Sequence, residues 1–297
     1  MRWLITGAHG MLGAELVAHL RTLAGEQVAA LDRGRLDVRL PGPVARAIDL
    51  HRPDVLVNCA AWTAVDTAEE FEADALEVNG HAVRVLAEAC ARQGVRLIQL
   101  STDYVFDGAA REPYREDAPP NPVGAYGRGK LAGERAALEH GHHVVRTAWL
   151  YGAHRGNFVR TMIRLAGARD TVAVVDDQVG QPTWSADLAA RIVDLARADA
   201  PPGVYHGTNA GHTTWYGFAR EIFAALGLDP GRVRPISTAE LSRPAPRPAY
   251  SVLGHDGWAR AGLPPMRHWR EAFHAAWPHL RPPDEVPADA RRTGAVR

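Results

Sequence analysis

Short apolar runs alternate with stretches whose apolar positions recur every three or four residues, as happens when strands and helices take turns along a chain. Arg2-Trp3-Leu4-Ile5-Thr6, Val28-Ala29-Ala30-Leu31, Val55-Leu56-Val57-Asn58, Arg96-Leu97-Ile98-Gln99-Leu100 and His143-Val144-Val145-Arg146 read as strands. Ala14 to Leu23, Ala73 to Arg92 and the segment around Tyr126 read as helices between them. The alternation predicts an α/β fold, a doubly wound parallel sheet of Rossmann type with helices on both faces. Ligands of such sheets bind outside the carboxyl ends of the strands, where Asn58-Cys59-Ala60-Ala61, Ser101-Thr102-Asp103 and Thr147-Ala148-Trp149 fall.

From about Gly152 the pattern mixes a helix from Asn157 to Ala166, a short strand from Val172 to Val175, and helices near Ala186 to Ala196 and Trp215 to Leu226. The expected organisation is a large domain over residues 1–151 and a smaller, interleaved C-terminal lobe over 152–281 that returns segments to the large domain. In residues 282–297 proline and charge displace the apolar period, which predicts a disordered tail.

Composition removes several classes of function. The 297 residues carry no formal net charge, so no basic field draws nucleic acid or an anionic membrane. The two cysteines, Cys59 and Cys90, have no metal or disulfide spacing and read as buried, reduced core residues. His140, His142 and His143 stand at a helix-to-strand turn with no fourth ligand nearby, so no metal is assigned to them. The N-terminal apolar run is too short for a signal or a membrane span, and the expected location is the cytoplasm.

The first strand runs directly into Gly7-Ala8-His9-Gly10-Met11-Leu12-Gly13 and then a helix. Glycines in that position allow a tight turn and bring a pyrophosphate close to backbone N–H groups at a helix N-terminus, where the dipole favours anions. A second strand ends in Asp32, about 20 residues beyond the turn, where a carboxylate bonds an adenosine ribose hydroxyl. Asp32 alone points to NADH, whereas Arg33 and Arg35 suit the additional phosphate of NADPH. The two guanidiniums tip the reading toward NADPH, with NADH left open.

Lys130 is the only lysine of the chain and follows Tyr126 by four residues in Tyr126-Gly127-Arg128-Gly129-Lys130. Residues at that spacing share a helix face, so phenol and ammonium line one pocket. A nearby positive charge stabilises a phenolate, so Lys130 is expected to lower the pKa of Tyr126 and fit it to protonate a carbonyl oxygen as hydride arrives at the carbon.

These residues belong to a longer run: Ser101-Thr102-Asp103-Tyr104-Val105-Phe106-Asp107-Gly108, Pro113-Tyr114-Arg115-Glu116, Asn121-Pro122, Tyr126-Gly127 and Lys130-Leu131-Ala132-Gly133-Glu134, with Gly180-Gln181-Pro182-Thr183 and Arg247-Pro248 further on. The run resembles the dTDP-4-dehydrorhamnose reductase family of the extended short-chain dehydrogenase/reductase superfamily, and the likeness covers almost the whole chain. It implies NAD(P)H-dependent reduction of the C4 ketone of a dTDP-4-keto-6-deoxy sugar, with dTDP-4-dehydrorhamnose converted to dTDP-rhamnose. By the same resemblance Tyr126 donates the proton, Lys130 tunes it and holds the nicotinamide ribose, and Thr102 bonds the substrate oxygen. Gly10, Met11, Leu12, Asp32, Asp37, Val38, Ala60, Ala61 and Trp62 are implied to line the cofactor, and Asp103, Trp149, Asn157 and Arg247 to meet the substrate.

The chain departs from the family in two places. Trp62 stands where members often carry histidine or tyrosine. Of the glutamates that bind Mg2+ between two subunits in some members, Glu15 has a match, Asp187 replaces a second, and the third has no clear counterpart. Mg2+ and a homodimer thus stay open without being expected. Three other activities share the motif run: a dTDP-sugar reductase of the dihydrostreptose synthase type, a sugar-nucleotide epimerase, and a non-catalytic regulatory subunit like that of methionine adenosyltransferase.

Overall fold

A computed structural model of the chain describes residues 1–281. The expected tail over 282–297 lies outside the described residues. The first half runs β1 (Arg2–Thr6), α1 (Met11–Thr22), β2 (Gln27–Leu31), α2 (Pro41–His51), β3 (Val55–Asn58), α3 (Val65–Glu70), α4 (Glu72–Leu76), α5 (Ala82–Arg92), β4 (Arg96–Thr102), α6 (Ala125–Glu139) and β5 (His143–Thr147). The second half continues with β6 (Leu150–Tyr151), α7 (Phe158–Ala168), β7 (Val172–Val175), β8 (Val179–Gly180), β9 (Thr183–Trp184) and α8 (Ser185–Arg197). It ends with β10 (Gly203–His206), β11 (Thr213–Thr214), α9 (Trp215–Ala225), β12 (Val233–Ile236), α10 (Asp256–Arg260) and α11 (Trp269–Leu280).

Six strands form one parallel sheet in the order β10-β5-β4-β3-β1-β2. From β1 the chain steps outward to β2 and then returns to the other side at β3, so the strand order reverses between β1 and β3. A crevice opens there at the carboxyl ends, as the reversal of direction dictates.

The period of two along each strand divides the core. Trp3, Ile5, Val55, Val57, Ile98, Leu100 and Val145 face one side, under Leu16 and Leu20 of α1 and Leu188 and Ile192 of α8. Leu4, Leu56, Leu97 and Val144 face the other, under Ile48 of α2, Leu86 and Cys90 of α5, and Ala137 of α6. Fully buried leucines such as Leu16 and Leu20 each contribute about 1.5–3 kcal/mol. Two elements from the second half, α8 and β10, thus build the large sheet layer, while α7, α9 and α11 enclose a separate core of Val159, Phe218, Phe223, Trp269 and Phe273.

The helix expected from Ala73 to Arg92 is present but widens into a π turn at Glu77–His81 between α4 and α5. The widened turn directs the buried Asn79 side chain at the segment after β3. There Trp62 N–H donates to Asn79 Oδ1 at 2.9 Å and Asn79 Nδ2 donates to Trp62 O at 3.0 Å. Such π turns recur where a helix has been adapted to a site.

Candidate active site

The carboxyl ends of β1 to β5 open into one cleft of about 1010 Å3. Its wall includes Gly7, Gly10, Met11, Leu12, Gly13, Asp32, Arg33, Asp37, Val38, Ala60, Ala61 and Trp62, the whole set expected to line a dinucleotide. Thr102, Asp103, Tyr126, Lys130 and Trp149 line the same cleft.

The glycine turn is shaped by close approach. Gly7 adopts φ +63, and a Cβ there would lie 2.6 Å from Ala60 N and Cys59 C. Any side chain would push β1 away from β3. No side chain caps the N-terminus of α1, and no acidic residue occupies its first turn. Those N–H groups and the helix dipole remain available to an anion, which is the donor set a pyrophosphate requires. Ser101 and Thr147 add buried hydroxyls without partners among the described residues on the cleft wall, further groups able to bond a ligand. The residues present therefore fit a nicotinamide dinucleotide.

A row of buried hydrogen bonds ties this end of the sheet to Lys130. Thr6 Oγ1 donates to Asn58 Oδ1 at 2.6 Å, and Asn58 Nδ2 donates to Gln99 Oε1 at 2.7 Å. Gln99 Nε2 and Lys130 Nζ then both donate to the carbonyl of Leu100, at 2.7 and 2.6 Å. Burial pushes the Lys130 ammonium down to about 8, against the opposing pull of Glu134 one turn further along α6. Lys130 thus retains most of its charge at neutral pH.

α6 is seated by its neighbours. Its first N–H, from Ala125, is capped by Glu69 Oε1 of α3 at 2.8 Å. Gly127 lets the helix pass against the carbonyl of Tyr104, where a Cβ would collide. Tyr126 therefore projects into the cleft at a fixed place, with Tyr104 edge-on to its ring at 5.9 Å.

The expected lowering of the Tyr126 pKa is not found. Burial, with the charge of Asp103 adding to it, pushes the phenol up to about 12, and the neighbouring Thr102 hydroxyl opposes them. Helical spacing supplied the lysine but carried no information about desolvation or about a carboxylate arriving from β4. A phenol so placed keeps its proton at neutral pH and is poised as a donor. Thr102 Oγ1 donates to Asp103 Oδ1 at 2.9 Å, and both residues line the cleft with Tyr126. Burial raises Asp103 to about 6, opposed by the nearby hydroxyls of Ser251 and Thr102, of which Thr102 makes a hydrogen bond.

Other site residues occupy distinct positions. Asp37 is held by Arg39 at 2.6 Å, which lowers its carboxyl to about 2. Trp149, at φ +47, stacks on Trp215 with ring centroids 3.6 Å apart, and the pair forms an aromatic wall of the cleft. Asn157 is not part of the cleft lining: its Oδ1 accepts from Arg160 N–H at 3.1 Å and caps α7. Arg247 also stands outside the lining, with both terminal nitrogens on Asp66 at 2.7 and 2.9 Å. Cys59, expected in the core, is only partly buried and lines the cleft. Asp187, weighed as a metal ligand, has its carboxylate bonded by Arg267 at 2.6 and 2.8 Å and by Asn209 at 2.9 Å. Among the described residues no group of three or more His, Cys, Asp and Glu is arranged to hold a metal ion, and no helix is long and apolar enough to cross a membrane.

Trp215, Arg155, Ser101 and Thr147 were not singled out as site residues from the sequence, although the last two were visible at strand ends. Trp215 and Arg155 enter from the second half of the chain, and no spacing rule links them to the glycine turn.

A glycine turn at the strand-order reversal, with tyrosine and lysine one helical turn apart in the same cleft, defines the extended short-chain dehydrogenase/reductase class. Within it the chain belongs to the RmlD substrate binding domain family, whose model matches residues 1–281. It is 54% identical to the dTDP-4-keto-6-deoxy-D-glucose reductase of Streptomyces niveus, over 94% of this chain and 97% of that protein. It is 55% identical to the dTDP-4-dehydrorhamnose reductase of Streptomyces griseus, over 94% of each. The crystal structure of dTDP-4-dehydrorhamnose reductase from Bacillus anthracis in complex with NADP superposes with a TM-score of 0.89 at 37% identity, covering 93% of this chain and 98% of that one.

Proposed function

We propose that the chain reduces the C4 ketone of a dTDP-4-keto-6-deoxy sugar with NADPH, and that the sugar is dTDP-4-dehydrorhamnose, converted to dTDP-rhamnose. The observation that carries this reading is the meeting of Tyr126, Thr102, Asp103 and the buried Lys130 in the cleft that also contains the glycine turn. The two Streptomyces relatives, both reductases of dTDP-keto sugars by name, point to the same substrate class. The complex of the Bacillus anthracis protein and the position of Arg33 favour NADPH, with NADH as the second cofactor.

When bound, the dinucleotide supplies a hydride. The protein's part is to supply the proton and the geometry. Tyr126 gives its proton to the ketone oxygen while the carbon accepts the hydride, so the C=O double bond becomes a C–H and an O–H bond. The Thr102 hydroxyl, turning its hydrogen from Asp103 to the same oxygen, keeps it within reach of the phenol. The ammonium of Lys130 favours the phenolate left behind, and its bond to Leu100 O fixes it beneath the cleft. The stacked indoles of Trp149 and Trp215 offer an apolar wall to the deoxy sugar.

A second reading is reduction of a differently configured dTDP-keto sugar, because the two Streptomyces relatives, at 54% and 55% identity, carry different sugar names. Purified protein given a panel of dTDP-4-keto-6-deoxy sugars and NADPH deuterated at the nicotinamide C4 is expected to consume NADPH absorbance and to place deuterium on C4 of the sugar. The product's configuration then separates the two sugars. Isomerised sugar without net oxidation of cofactor would instead indicate an epimerase, and dinucleotide binding without turnover a regulatory subunit.

A further inference from the structure

Asp32 does not face the cleft as a free carboxylate. Its Oδ1 accepts from the backbone N–H of Arg35 at 3.0 Å, and its Oδ2 lies 3.0 Å from Nδ1 of His9. The contact is at ion-pair distance without hydrogen-bond geometry, and a carboxylate only accepts, so the imidazole engages it as a cation or by turning its Nδ1–H toward it. One oxygen is thus hydrogen-bonded and the other faces the imidazole at ion-pair distance. His9 stands at the centre of the glycine turn with its side chain 72% exposed, while Arg155 Nε, reaching across from the loop before α7, donates to the His9 carbonyl at 2.9 Å and fixes the backbone that presents the ring. His9, Asp32, Arg33 and Arg155 all line the cleft.

A carboxylate at the end of the second strand ordinarily serves NADH, by accepting from the ribose hydroxyls, and repels the 2′-phosphate of NADPH. Here an acceptor that would meet the ribose is turned toward an imidazole, and Arg33 stands on the same rim. We propose that His9 sets the preference for NADPH over NADH by occupying Asp32, so that the carboxylate neither bonds the 2′-hydroxyl of NADH nor opposes the 2′-phosphate of NADPH. The inference rests on the proposed use of a nicotinamide dinucleotide and adds the residue that selects between the two forms. Sequence spacing places Asp32 and the arginines at the ribose but gives no reason to pair His9 with them.

The test is equilibrium binding of NADPH and NADH by nicotinamide fluorescence, repeated with 2′,5′-ADP and 5′-AMP as fragments that isolate the 2′-phosphate. His9→Ala is expected to lower the NADPH-to-NADH affinity ratio about two- to fivefold, the range of a solvent-exposed charged contact, with the same change in the fragment pair. His9→Arg, which keeps a donor able to reach Asp32, is expected to retain the ratio. In an Asp32→Asn background the His9→Ala effect should vanish, because the group it acts through is gone. An unchanged ratio in His9→Ala, or the same drop with Asp32→Asn in place, would overturn the assignment. Since the readout is binding, a chain that reduced no sugar would contradict the proposed reaction while leaving this ratio measurable.

Discussion

At the scale of single residues, the site is governed by burial as much as by spacing. Tyr126, Lys130 and Asp103 are all desolvated, and each shifts toward its neutral form: the phenol up to about 12, the ammonium down to about 8, the carboxyl up to about 6. For Asp103 the sign of the pH dependence follows directly. Its pKa in the folded chain lies above the ordinary value of 3.8, so its contribution to stability is present below about pH 4 and lost as the pH rises through about 6. Asn cannot ionise. The stability of Asp103→Asn relative to the parent is therefore expected to rise by about 2–3 kcal/mol between pH 4 and pH 7, read by urea unfolding at the two pH values. A gap that stays constant across that range would mean the carboxyl is not raised. Motif and spacing identified the three residues. They missed the direction of the Tyr126 shift, because desolvation depends on what the rest of the chain packs above the phenol.

At the scale of elements, the strands of the sheet were read at nearly their observed bounds, from β1 and β3 to β5, because buried strands of a parallel sheet are short, apolar and bounded by polar turns. The sixth strand, β10, was not: Gly203–His206 is only four residues long and follows Pro201 and Pro202, which mask it as a loop. The π turn was also invisible, since a widened turn leaves the apolar period of a helix almost unchanged. Its contribution is to bring Asn79 to Trp62 and, on its other side, to meet α6 at Gly133. A Cβ at Gly133 would collide with the carbonyl of Asn79 and lie 3.1 Å from Val83 Cγ2. Alanine gains about 1 kcal/mol of helix propensity over glycine, whereas overpacking against a backbone carbonyl costs about 1–3 kcal/mol. Overpacking outweighs the propensity gain, because the carbonyl belongs to a helix that cannot retreat without moving Trp62. Gly133→Ala is thus expected to lower stability by up to about 2 kcal/mol in denaturant unfolding. A stabilised variant would show that the two helices are not in close approach.

At the scale of the whole molecule, the cleft exists because two parts of the chain meet over the strand ends. The sheet supplies the glycine turn, the tyrosine and the lysine, all of which are local in sequence or follow the strand rhythm, and these were legible. The second half supplies Trp215 and Arg155, and it also fixes Arg247 on Asp66 of α3 and Arg155 on the glycine turn. Contacts of that range leave no periodic trace: the resemblance offered Asn157 and Arg247 as substrate residues and carried no information about the helix cap and the ion pair that their side chains form. The central claim is that the Tyr126 hydroxyl delivers the proton to a ketone at the reactive end of a bound dinucleotide. Its most direct test is single-turnover oxidation of NADPH by a dTDP-4-keto-6-deoxy sugar, comparing the parent chain with Tyr126→Phe at matched saturation by cofactor. The account predicts a rate lower by about 10²- to 10⁴-fold in the variant with NADPH affinity unchanged; a variant that turns over at the parental rate would contradict it.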